Sequence, residues 1–130
     1  MGSSAAQSVA RQGSGPDTFP ALFREQSRRL GTRHTAFREK EFGIWQAYSW
    51  AAAWEQVRDF ALGLAALGFK RGDRICIVGD NRPRLYMGML AAQSLGGIPV
   101  PLYQDSIERE MQFIVEHAEV SFALAADQEQ

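Results

Sequence analysis

Cysteine is nearly missing. Cys76 stands alone, so a disulfide framework cannot form, and its setting between Ile75 and Ile77 marks a buried, inert thiol. Histidine is almost as scarce. His34 and His117 lie far apart with no cysteine or histidine at ligand spacing, which argues against a metal site. Charge of one sign is not in excess: 14 Lys and Arg face 15 Asp and Glu, a net charge of −1. The balance supplies no electrostatic case for nucleic acid or for an acidic membrane surface. No apolar run approaches the ~18 residues of a membrane span. The amino terminus has no signal-peptide core, and Ala6 stands where a myristoylation motif takes Ser or Thr, so the setting is cytoplasmic by elimination.

The chemical motifs are absent too. No G-x-x-x-x-G-K-[ST] occurs, and no G-x-G-x-x-G follows a strand; Gly13-Ser14-Gly15 has no helix after it and reads as linker. Ser49, Ser94 and Ser106 have capping or packing explanations and no G-x-S-x-G context. The carboxylate pairs Glu108/Glu110 and Glu116/Glu119 fall on what should be the surface of a helix. One polar cluster is left at the carboxyl end of an expected strand, Gly79-Asp80-Asn81-Arg82. Ligands of open α/β sheets bind at such ends, although any strand-to-helix turn uses the same residue types.

What is present is a folding pattern. The 130 residues suit one domain or part of a larger one, with 45% apolar and 22% charged residues. Arg74 to Val78 is a short β-branched run suited to a strand buried on both faces. Asn81 or Arg82 then caps a helix with Pro83 in its first turn. Leu85, Tyr86, Met89, Leu90 and Ala92 form that helix's apolar side, Gly96-Gly97 ends it, and Ile98 to Leu102 is the next strand. A helix between two apolar strands is the connection that a parallel pair requires, with right-handed crossover.

The remaining segments fit around this unit. Residues 1–17 are small and polar and read as a disordered leader, with residues 18–130 as the folded part. Asp17 or Thr18 caps a helix from Phe19 to Leu30 that faces inward through Phe19, Leu22, Phe23 and Leu30. Thr35 to Glu39 and Ile44 to Tyr48 suggest a β-hairpin. Ser49 caps the longest helix, Trp50 to Leu67, with a stripe at Trp54, Val57, Ala61, Leu64 and Leu67. Farther on, Asp105 and Glu108 fit a capping box for a helix from Ile107 to Ala118, packing through Met111, Ile114 and Val115. Val120 to Ala125 is a third parallel strand. The expected class is α/β: helix and β-hairpin, then β-α-β-α-β. Asp127 to Gln130 reads as the start of a cut helix, since a parallel strand needs cover on both faces.

Three stretches in register resemble one family. Tyr48-Ser49-Trp50 opens a long helix ending Leu64-Ala65-Ala66-Leu67-Gly68. Gly72-Asp73-Arg74-Ile75-Cys76-Ile77 runs on into a turn with Asn81-Arg82-Pro83. Leu95-Gly96-Gly97 leads to Val100-Pro101-Leu102-Tyr103. Together they resemble the adenylate-forming (AMP-binding) acyl-CoA synthetases over roughly residues 18–130. The segment Phe37 to Ser49 points to the long-chain or related very-long-chain fatty-acid–CoA ligases.

The resemblance implies an incomplete part of that family's large amino-terminal domain and a two-step reaction. Fatty acid and ATP, with Mg2+, give an acyl-adenylate, and coenzyme A then displaces AMP. The family's phosphate loop, adenine segment, ribose-binding Asp and late lysine have no matching positions here. No catalytic, cofactor-binding or metal residue is therefore carried over, and the fragment alone is expected to be inactive and to bind none of these cofactors productively. Peripheral membrane contact and a homodimer stay open. So do two rival readings, a stand-alone nucleotide-binding module and a non-catalytic interaction or dimerisation module, the latter because the last strand leaves an open edge.

Overall fold

The computed structural model describes residues 15–127. The chain runs α1 (Phe19–Leu30), β1 (Thr35–Glu41), β2 (Ile44–Ser49), α2 (Trp50–Ala66), β3 (Arg74–Val78), α3 (Pro83–Ser94), β4 (Ile98–Pro101), α4 (Glu108–His117) and β5 (Phe122–Ala125). The leader expected over residues 1–17 lies outside the described residues for positions 1–14. The same holds for positions 128–130 of the expected cut helix.

β1 and β2 form an antiparallel hairpin, and the other three strands form a parallel sheet in the order β4-β3-β5. The middle strand uses both edges. On one side Ile98 donates to the Asp73 carbonyl at 2.9 Å and Leu102 to the Ile77 carbonyl at 2.8 Å. On the other, Ser121 donates to Arg74 at 3.1 Å and Ala126 to Val78 at 3.0 Å. Pro99 and Pro101 sit opposite Ile75 and Ile77, one register step from those donors. Their missing amide hydrogens thus fall on the outer edge, where no ladder bond is lost.

The two crossovers run in opposite directions across β3. With right-handed connections this puts α3 and α4 on opposite faces of the sheet. Ile75 and Ile77 belong to the main core, with Val57 and Leu64 of α2 and Met87 and Ala91 of α3. Each such side chain contributes on the order of 1.5–3 kcal/mol through burial. Cys76 and Val78 are buried but stand outside that cluster. α4 has no buried residue at all.

Several expectations need correction. The Asp105–Glu108 capping box does not form: Ile107 is the N-cap and no side chain caps α4. Ser106 donates to the Tyr103 carbonyl at 3.0 Å, so Asp105 is inside a tight turn and Glu108 is the first helical residue, not the third that a box needs. Arg82 takes the N-cap of α3, also without a side-chain bond, and Pro83 sits in the first turn as expected. Leu67 is 75% exposed, because α2 ends at Ala66 and Leu67 lies past the last turn; Ala53 is buried in its stead. Phe19, Leu22 and Tyr86 are exposed, while Met87 and Ala91 join the expected Leu85 and Ala92 on the buried face of α3.

Strand ends shift as well. β5 starts two residues late, since Glu119 takes φ 52 and Val120 donates back to Val115, closing the helix. β1 runs on to Glu41, which pairs with Ile44 across a two-residue turn. Thr18 and Ser49 cap α1 and α2 as expected, accepting from Ala21 and Ala52.

Gly96 ends the α3 segment with φ 76, the left-handed stop that glycine permits. Gly97 has a different constraint: a Cβ there would run into the Phe69 ring and lie 3.1 Å from the Ala92 carbonyl oxygen. Gly97→Ala is therefore expected to lower stability by about 1–3 kcal/mol, read from the urea midpoint. Added to a Phe69→Leu background, the same change should cost less, because the collision is with the ring.

Candidate functional site

Because α3 and α4 leave β3 and β4 toward opposite faces, the two strand ends part and open a crevice between them. Open α/β sheets bind ligands at such a switch in connection direction. The crevice has a volume of about 350 Å³ and is lined by Gly79, Asp80 and Asn81 from one loop and Leu102, Tyr103, Gln104 and Asp105 from the other. Arg82 donates its backbone amide to the Asp80 carbonyl at 2.7 Å, which holds the first loop in a tight turn.

The polar cluster expected at Gly79-Asp80-Asn81-Arg82 is thus split. Gly79, Asp80 and Asn81 line the crevice, whereas Arg82 faces a second cavity of about 370 Å³ with Arg84, Glu39 and Glu41. Sequence reasoning missed the β4 half of the crevice, having spent Asp105 on a helix cap. The available signal was position: Tyr103-Gln104-Asp105 follows the second parallel strand just as Gly79-Asp80-Asn81 follows the first.

Chemically the crevice is acidic. It holds two carboxylates and a phenol, with no histidine, cysteine, serine, lysine or arginine in its lining. Its lining side chains include no cation to neutralise a phosphate. The histidines are elsewhere; His117 stacks on Phe113 with ring centres 5.6 Å apart. Among the described residues no group of three or more His, Cys, Asp or Glu could hold a metal ion.

The second cavity sets Glu39 and Glu41 against Arg82 and Arg84, and Tyr48, outside its lining, reaches Glu39. Tyr48 donates its hydroxyl to Glu39 Oε1 at 3.0 Å. Burial, and then the Glu39 carboxylate, push the phenol above its ordinary 10.0, with Arg84 opposing. Burial likewise pushes the Cys76 thiol above its ordinary 9.0.

A family model described as "AMP-binding enzyme" matches residues 23–130. The Homo sapiens long-chain-fatty-acid–CoA ligase ACSBG2 is 29% identical over 115 residues, 88% of this chain and 17% of its own length. Long chain acyl-CoA synthetase 1 of Arabidopsis thaliana is 33% identical over 84 residues, 65% of this chain and 12% of its own. Among solved structures, the Klebsiella oxytoca NpsA N-terminal subdomain in complex with 3-hydroxyanthranilyl-AMSN gives a TM-score of 0.77 at 24% identity, covering 87% of this chain and 28% of that one. IdnL1 gives 0.80 at 20% identity, covering 88% and 23%. These two likenesses speak for the fold alone. The chain spans 17% and 12% of the length of the two curated relatives.

The two raised pKa values have a definite sign. Each folded-state group holds its proton more tightly than the unfolded one, so its contribution is complete below the unfolded pKa and is lost as pH rises through the folded pKa. Urea midpoints should therefore fall as pH rises through and above 9.0 for Cys76 and 10.0 for Tyr48. Cys76→Ala should flatten the first part of that fall and Tyr48→Phe the second.

Proposed function

Since the chain belongs to the AMP-binding enzyme family, we propose that it is the amino-terminal scaffold portion of an ATP-dependent long-chain fatty-acid–CoA ligase. The observation that carries this reading is the family match over residues 23–130, joined by relatives named as long-chain ligases. Residues 18–130 are then part of an AMP-binding domain, preceded by a leader over 1–17 and set in the cytoplasm. The whole enzyme would join fatty acid and ATP, with Mg2+, into an acyl-adenylate and pass the acyl group to coenzyme A.

This portion supports that chemistry without performing it. The residues present do not fit the triphosphate: the β3–β4 crevice offers Asp80 and Asp105 where a nucleotide requires cations or an amide cradle. Nor do the described residues assemble a ligand set for Mg2+. No catalytic, cofactor or metal role is assigned to any residue of the chain, and no reaction step is routed through it.

A second reading, an interaction or dimerisation module, draws on α4, where Phe113 and the N-cap Ile107 are exposed and no residue of the helix is fully buried. Fatty-acid-dependent ATP–pyrophosphate exchange separates the two. The 130-residue chain should show none, and a polypeptide continuing in frame beyond codon 130 through a Ser/Thr/Gly-rich loop and its lysine should show it. A stop codon at that point, with a soluble self-associating product, would overturn the ligase reading in favour of the second.

A further inference from the structure

The β1–β2 hairpin sorts its charges by face. Directly opposed residues of an antiparallel pair share a face, and successive residues alternate. The register pairs Arg38 with Ala47 and Lys40 with Trp45, which sets both hairpin cations beside Trp45. Phe37 pairs with Tyr48 and Glu39 with Gln46 on the opposite face. That opposite face looks inward, since Phe37 and Tyr48 pack on the core. The acids Glu39 and Glu41 are there, across a cavity from Arg82 and Arg84. The outward face keeps Arg38 and Lys40 with no acid beside them, and among the described residues neither is ion-paired.

The tip of the same hairpin is apolar and strained. Phe42 and Gly43 form the turn with φ of 50 and 78, the left-handed pair of a type I′ loop. Such a loop favours Asn-Gly or Asp-Gly; an aromatic residue with positive φ is held there at a cost. Yet Phe42 is 96% exposed and gains nothing from packing within the described chain. Ile44 and Trp45, next along the strand, are 63% and 66% exposed.

We infer that this hairpin is a membrane-docking element whose occupant is a bilayer surface containing anionic lipid. The strained Phe42 at the tip enters the acyl boundary, and the Trp45 ring lies at headgroup depth, where indole is favoured. Lys40 and Arg38 follow on the same face as Trp45, so their stems cover apolar surface while their charges meet lipid phosphates and carboxylates. A protein groove would complement the apolar tip but does not by itself explain two unpaired cations ranked behind it on one face. The near-zero net charge conceals this arrangement, because the compensating acids look the other way. The inference goes beyond the ligase reading and stands without it; fatty acids partition into bilayers, so the two are compatible.

Co-sedimentation of the full chain with vesicles tests it. Phosphatidylcholine alone is compared with phosphatidylcholine and phosphatidylserine at about 3:1. The chain should bind the mixed vesicles, and added salt should weaken binding. Phe42→Asn should lower the partition constant by roughly tenfold, in line with the loss of a buried aromatic. The same change should raise the urea midpoint, because Asn tolerates the turn, so weaker binding cannot be blamed on unfolding. Arg38→Gln and Lys40→Gln should each cost roughly fivefold on the mixed vesicles only.

Absence of binding to either vesicle would overturn the proposal, as would equal binding by the wild-type chain and Phe42→Asn. Loss of binding in Phe113→Gln with Phe42→Asn unaffected would also overturn it, by moving the contact to α4. The ligase reading is judged separately, by exchange activity, so either can fail alone.

Discussion

Five residues impose the layout. β3 is a strand with a parallel neighbour on each edge, and a strand in that position must have both hydrogen-bonding edges and both faces satisfied within the protein. Ile75 and Ile77 on one face meet α2 and α3; Cys76 and Val78 on the other lie on the side given to α4. The chain must therefore leave β3, return on one side, cross over and return on the other. Placing α3 and α4 on opposite faces is the outcome of that demand combined with right-handed crossovers. Pro99 and Pro101 are compatible with it because only the edge strand has an unpaired side to spare.

The two faces are not equally served. The α2–α3 side holds most of the buried residues, while α4 buries none and leaves Ile107 and Phe113 exposed. At the other end of the sheet the strand ends form an opening between β3 and β4. The opposed connections create a crevice as a by-product of topology, and its lining is acidic and holds no lysine, arginine or histidine. The place where ligands bind in such sheets is present, lined by carboxylates, a phenol and amides.

Charge is distributed by the same geometric logic. Glu39 and Glu41 look inward and share a cavity with Arg82 and Arg84, while Arg38 and Lys40 look outward beside Trp45. In the linear sequence these hairpin residues alternate in sign and appear to cancel. Pleating separates them into one compensated face and one basic face, capped by a strained aromatic turn.

The local elements were legible in the residues themselves. Thr18, Ser49, Pro83 and Gly96 mark helix ends through bonds and dihedrals that depend on their immediate neighbours, and Arg74 to Val78 announces a buried strand by composition. The family resemblance was legible for the same reason, since its three stretches are the turns and strand that build this unit. Errors arose where a local rule competed with a distant contact. Asp105 and Glu108 have capping-box spacing, but the Tyr103–Ser106 turn delays the helix; Leu67 continues the α2 stripe, but the helix has already ended. The split of Asp80 and Asn81 from Arg82, their meeting with Tyr103 to Asp105, and the choice of which hairpin face turns inward were decided only in three dimensions. Each depends on which strands lie side by side and which way the connections cross, and no spacing along the chain encodes that.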